Sequence, residues 1–322
     1  AVFFTGLIGI GAIGIPYMPP RAQIFSHDYY RELALPAQSR IMGLRGALFP
    51  NAAAALGIYD VRSIVSLSIE RFQLFQDYCL FKKPQEIYKR LWFTGLIDND
   101  GADKGNLEES LKERYYFYAL AGVSHYYSYA YEDIPHTRLI QDGNIKSYQS
   151  LIAMPRAFVV HAWVPVPSPL RALDWMLQNA FLLNSQAVIE GEVHGSPGGQ
   201  SGGAVEPLAA QEARIVSYGL HSVFIETETS APGLLVLTDV YHPDWKATVD
   251  GRPAQVFPAD LCFRGVLLPP GKHKVAFIFR PVVFYLCSGV SFVTFVVIAA
   301  LALLGLKRVL ARRRMGTGTE EK

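Results

Sequence analysis

Leu234–Pro281 reads LLVLTDVYHPDWKATVDGRPAQVFPADLCFRGVLLPPGKHKVAFIFRP, and Val282–Leu306 follows without a charge. The first stretch carries the marks of short strands and tight turns. Asp250-Gly251 suits a two-residue hairpin, whose central positions take positive φ. Pro269-Pro270-Gly271-Lys272 forms a second turn. The uncharged run of about 25 residues is long enough, at 1.5 Å per residue, to cross a ~30 Å hydrocarbon core. Only Arg280-Pro281 separates the last strand from it, so the chain upstream is expected to stand at a membrane surface. Lys307, Arg308, Arg312, Arg313 and Arg314 follow the run at once. Cytoplasmic flanks are enriched in Lys and Arg, which puts the C-terminus inside and the β region outside.

Working back from Leu234, strands are expected at 215–218, 222–229 and 233–239, then at 246–250, 255–258, 265–268 and 273–280. Short strands with turns this regularly spaced suggest an antiparallel β-sandwich over 212–281. His194–Glu206 (HGSPGGQSGGAVE) is glycine-rich and low in complexity, so 193–211 reads as a flexible loop. Residues 18–192 read as a mixed α/β region. Ser168-Pro169 starts a helix toward Leu183, Ser68 and Asn106 are candidate helix caps, and Val123–Tyr131, Ile145–Leu151 and Ala157–Val166 read as strands. The opening AVFFTGLIGIGAIGIPY is apolar with no basic flank, so 1–17 reads as the end of a membrane helix that begins before Ala1. The fold class expected is α+β and membrane-anchored, with transmembrane helices at both ends and a basic cytoplasmic tail at 307–322.

The chain has 322 residues, a formal net charge of +2, eight histidines and three cysteines. That charge argues against a dedicated nucleic-acid binder. Cys287 lies in the apolar run, and Cys79 and Cys262 read as buried thiols or as a pair in an oxidising compartment. The histidines form no HExxH or Cys/His ligand set. Glu108-Glu109 fits a helix start and Glu226/Glu228 an exposed strand face, so neither pair reads as a glycosidase dyad. The candidate binding residues are Asp239, Tyr241 and Trp245, whose aromatic faces suit sugar C–H groups, and Asp60 with Arg62, a structural ion pair or a phosphate contact. No catalytic residue and no metal ligand is assigned.

Leu237-Thr238-Asp239, Tyr241–Gly251 (YHPDWKATVDG), Phe263-Arg264-Gly265-Val266, Leu268–His273 (LPPGKH) and Phe279-Arg280-Pro281 together resemble the C-terminal end of the YfhO-like bacterial membrane proteins. Pro50-Asn51 with Leu56–Arg62 (LGIYDVR), and Met154–Phe158 (MPRAF), are similar to earlier segments of that family. Ser63-Ile64 departs from it, standing where a glycine and an aromatic are usual. The resemblance implies a multi-pass protein of the membrane glycosyltransferase (GT-C-like) class in the bacterial cytoplasmic membrane. Such a protein takes sugar from a polyprenyl-phosphate carrier and passes it to a cell-envelope glycan. Its catalytic carboxylates, and any divalent metal, would lie in loops before Ala1. This part would then need no cofactor, and would position the acceptor or shield the site. Its partners would be the lipid bilayer, the polyprenyl-linked sugar and the envelope acceptor. The alternative is a non-enzymatic, membrane-tethered module that binds an envelope glycan or a partner protein.

Overall fold

The computed structural model describes residues 40–45, 47–48, 58–62, 69–80, 104–191 and 210–316. The expected N-terminal membrane helix, Ser68 and nearly all of the glycine-rich loop lie outside the described residues. The chain divides into two compact units, Ala1–Arg156 and Ala157–Lys322.

The first unit holds one five-stranded sheet. Its strands are β1 (Arg40–Gly43), β2 (Tyr59–Asp60), β3 (Val123–Ser128), β4 (Thr137–Asp142) and β5 (Lys146–Ser150), in the order β2-β1-β3-β5-β4. β1 runs parallel to both β2 and β3, and the rest is antiparallel. Ile41, Ala47, Leu48, Tyr127 and Ile145 form a buried cluster against this sheet. The helices are α1 (Glu70–Leu74), which runs into a π-helical turn at Phe75–Leu80, then α2 (Lys104–Glu113) and α3 (Tyr115–Leu120). Asn106 therefore falls inside α2 and is not its cap. Phe75 meets Phe117 edge-on, with ring centroids 6.4 Å apart.

The second unit holds two sheets. One runs β7 (Ala162–Val166), β8 (Gln186–Glu190), β15 (Phe257–Ala259), β16 (Phe263–Leu268), β12 (Gly233–Leu237), β6 (Ala157–Val160), β9 (Gln211–Glu212). The other runs β10 (Arg214–Tyr218), β11 (Ser222–Thr229), β17 (Gly271–Phe279), β13 (Trp245–Val249), β14 (Arg252–Ala254). All pairings here are antiparallel except β7 with β8. Those two are joined through α4 (Pro169–Gln178), as a parallel pair requires. Ser168 caps α4, its hydroxyl accepting from the Arg171 N–H.

One apolar core serves both sheets. Val159, Leu235, Leu237, Val266 and Leu268 of the first meet Val223, Ile225, Ala247, Val275 and Phe277 of the second. β12 is central in its sheet and its five residues GLLVL are all buried, which explains a continuous apolar run where β11 and β17 alternate. Sequence reading began this β region at 212. Three strands of the seven-stranded sheet come from 157–190 instead, and β4 and β8 were not expected at all.

Gly233 is required here by packing. A Cβ on it would stand 2.5 Å from Val159 Cγ1 on the adjacent strand. Asp250 (φ 51°) and Gly251 (φ 79°) make the expected hairpin between β13 and β14. The last helix, α5, spans Val282–Gly316, and its segment Val282–Arg308 is long and apolar enough to cross a membrane and buries none of itself in the protein.

Candidate functional site

Asp60 ends β2 and Arg62 follows it two residues on. The Arg62 guanidinium grips the Asp60 carboxylate through Nη2–Oδ2 (2.7 Å) and Nε–Oδ1 (3.1 Å). The Arg62 backbone N–H also donates to Oδ1, at 2.8 Å. Nη2 donates once more, to the Leu48 carbonyl at 2.5 Å. Both side chains are at most 3% exposed. Of the guanidinium nitrogens only Nη1 is without a hydrogen-bond partner among the described residues. The geometry is that of a buried, bidentate ion pair fastening one loop to the sheet edge, with the Nε and Nη2 side of the guanidinium already engaged. Nearby, the Arg156 guanidinium stacks over the Tyr59 ring at 4.3 Å.

Asp239 and Trp245 come together through a residue that sequence reasoning did not select, Arg264. Arg264 lies on β16 opposite Leu237 and shares a face with core residues Val266 and Leu268. It is 3% exposed. Its Nη2 donates to Asp239 Oδ2 at 2.9 Å, and the Tyr218 hydroxyl donates to the same oxygen at 2.9 Å. The guanidinium lies 3.8 Å from the Trp245 ring centroid and 5.5 Å from that of Phe277. A buried arginine needs such a carboxylate partner and such faces to offset the loss of water. The signal was present in the sequence, a charge two residues before Val266 in an otherwise apolar strand, but a lone charge in a strand usually marks the solvent side.

The indole of Trp245 thus has one face covered by Arg264. It also leans on Phe279, its partner in register across β13 and β17, at 5.2 Å. His242 meets the same Phe279 edge-on at 5.7 Å. Tyr241 is half-buried and its backbone N–H donates to the Cys262 carbonyl at 2.7 Å. Arg280 N–H donates to the Asp244 carbonyl at 2.9 Å. Tyr241–Lys246 therefore braces the last strand just before the chain enters α5.

Elsewhere on the second unit Asp250, Glu226 and Glu228 have cationic or imidazole partners. His273 sets Nδ1 2.8 Å from Asp250 Oδ2 and Nε2 2.9 Å from the Pro269 carbonyl. The Lys274 backbone N–H, then His273, hold the Asp250 carboxyl below its ordinary value. The hydrogen bond from Arg214 does the same for Glu226, which Lys274 also approaches at 3.7 Å. Glu226 and Glu228 lie along an open polar groove with Arg214, Lys272 and Lys274, as an exposed strand face would place them. Among the described residues no three His, Cys, Asp or Glu side chains group to hold a metal ion.

Asp260 is the exception. Its backbone and side chain both clasp β8. Its N–H donates to the Val188 carbonyl at 2.8 Å, and Oδ1 accepts from the Val188 N–H at 2.9 Å. Oδ2 is buried without a hydrogen-bond partner. Burial pushes this carboxyl up to about 7. Cys79 and Cys262 are both buried thiols.

Residues 202–291 match the family model YfhO, described as bacterial membrane protein YfhO. Over that stretch the chain resembles YfhO. The matched stretch begins in the glycine-rich segment, takes in both sheets' C-terminal strands, and ends ten residues into α5, so the YfhO signature covers the passage from sheet to apolar helix. Asp239, Tyr241, Trp245 and Arg264 fall inside the YfhO match, while Asp60 and Arg62 fall outside it. No curated protein matches the chain. A single-particle cryo-EM structure of arabinofuranosyltransferase AftD from Mycobacteria is similar over 24% of this chain and 6% of that one. It shows 23% identity and a TM-score of 0.21, a likeness too slight to argue from.

Proposed function

We propose that this chain is the C-terminal extracytoplasmic part, with the last membrane helix, of a YfhO-like membrane protein of the glycosyltransferase class. In this reading the protein passes sugar from a polyprenyl-phosphate carrier to a cell-envelope glycan, and the part described here positions the acceptor or shields the reaction. The observation that carries the reading is the YfhO match across the junction of the two-sheet unit with α5. The geometry favours positioning over chemistry in this part. The carboxylates of Asp60, Asp239 and Asp250 are each held by a cationic or imidazole partner, and Asp260 is sealed from solvent. A group so engaged is a poor general acid or base.

α5 crosses the membrane with its basic end, Lys307 and Arg308 onward, in the cytoplasm, and residues 18–281 stand outside. The surface offered to a glycan is that of the half-buried Tyr241 and Trp245. Co-sedimentation of the vesicle-borne protein with envelope polymers tests this. Tyr241→Ala is expected to lower retention of the acceptor severalfold, and equal retention by the variant would sink the assignment of this surface.

A further inference from the structure

We infer that the hairpin between β10 and β11 is a second membrane contact, seating Leu220 in the headgroup layer of the leaflet from which α5 emerges. This rests on the reading of α5 as a membrane span. Register places the tip there. Ser222 pairs with Ile278, and the Phe279 N–H donates to the His221 carbonyl, so Leu220 stands level with Arg280. Two further residues bring the chain to Val282, where α5 begins, about 7 Å on at a strand's rise per residue. Val282, Val283, Phe284 and Tyr285 are 58–71% exposed, so the helix leaves the sheet at once and the hydrocarbon begins beside this tip.

The chemistry of the surface changes along the strands in the sense this requires. Far from α5, the outer face of the sheet carries the charge ladder Arg214–Glu226–Lys274 and Glu228–Lys272. Toward α5 it becomes apolar, with Val216 and Phe224 exposed and Phe224 opposite Ala276. At the tip Leu220 is 92% exposed, with nothing among the described residues to cover it. The residues level with it are those that favour a bilayer interface: half-buried Trp245, and exposed Arg280 and Lys246 with stems long enough to reach phosphates. Of the carboxylates near this level, Asp244 lies 3.5 Å from His242 Nδ1, and Asp239 is buried in its ion pair with Arg264. A lone leucine held in water at a hairpin tip, beside a membrane entry and level with an indole and two cations, is matched by a lipid surface.

The test uses the chain in vesicles of phosphatidylethanolamine and phosphatidylglycerol, with Cys287→Ser so that only introduced cysteines react. An environment-sensitive fluorophore is placed at Leu220→Cys, at Val283→Cys as a membrane control, and at Gly251→Cys at the far turn. Label at 220 is expected to emit to the blue of label at 251 and to be quenched by lipids bearing a nitroxide near the headgroup. Water-like emission at 220, with the 283 label quenched, overturns the inference. So does blue emission at 220 that lipid nitroxides leave unquenched, since a protein surface then covers the tip. Loss of quenching at 283 as well would instead overturn the reading of α5 itself.

Discussion

Asp260→Asn isolates the consequence of burying one carboxyl. The side chain is fully buried, and its carboxyl is raised from the ordinary aspartate value of 3.8 to about 7. The sign follows from linkage. Below about pH 4 folded and unfolded chains both hold the proton, and the carboxyl costs nothing. Between about 4 and 7 the unfolded chain ionises while the folded chain must keep its proton, so stability falls as pH rises. About three pH units at ~1.4 kcal/mol each give a loss of up to about 4 kcal/mol by pH 7, flat above it. Asparagine keeps the Oδ1 that accepts from Val188 and carries no titrating proton. The assay is urea unfolding at fixed pH values from 4 to 8, read by pulse-labelling of Cys262, which is buried two residues away. The stability of Asp260→Asn relative to the parent should climb by a few kcal/mol from pH 4 to 7 and then level off. A difference that stays constant across that window refutes the reasoning.

Arg264→Ala should destabilise the second unit by about 3 kcal/mol or more, because it strands the Asp239 carboxylate in the protein interior. The companion double variant Arg264→Met with Asp239→Asn should recover much of that in the same urea titration. Gly233→Ala should cost about 1–3 kcal/mol by overpacking against Val159, and Val159→Ala should relieve it, so that the two changes are strongly non-additive in a double-mutant cycle. Gly251→Ala meets open space, so its cost is the backbone alone, about 1 kcal/mol at a φ of +79°. Asp60→Ala should be far more damaging to the first unit than an exposed pair would be, by about 3–5 kcal/mol, seen as a lower thermal midpoint.

Local chemistry made part of this fold legible. Asp250-Gly251 announced its hairpin because few residue pairs accept two successive positive φ values. Ser222–Thr229 alternates between the core and solvent and was placed residue for residue. Ser168-Pro169 marked its helix for the same kind of local reason. Gln186–Glu190 was not legible, because its value lies in pairing with β15, some 70 residues on, and in a parallel contact with β7. The start of the two-sheet unit at Ala157 was hidden likewise, since β6 joins β12 only through long-range register. At the candidate site Asp239 and Trp245 stood out by type. Arg264, which joins them, did not, because burial of a charge is decided by a partner elsewhere in the chain. Asp260 carried a fainter mark, an acid set among Leu261, Cys262 and Phe263.

Sugar transfer tests the central claim most directly. Vesicles bearing the intact protein are given a labelled polyprenyl-phosphate sugar and an envelope polymer, with the parent chain and Tyr241→Ala compared. The account predicts protein-dependent transfer, with the variant raising the acceptor KM and leaving kcat at saturating acceptor at its former value. Retention of the polymer with no transfer would contradict it and leave a membrane-tethered binding module.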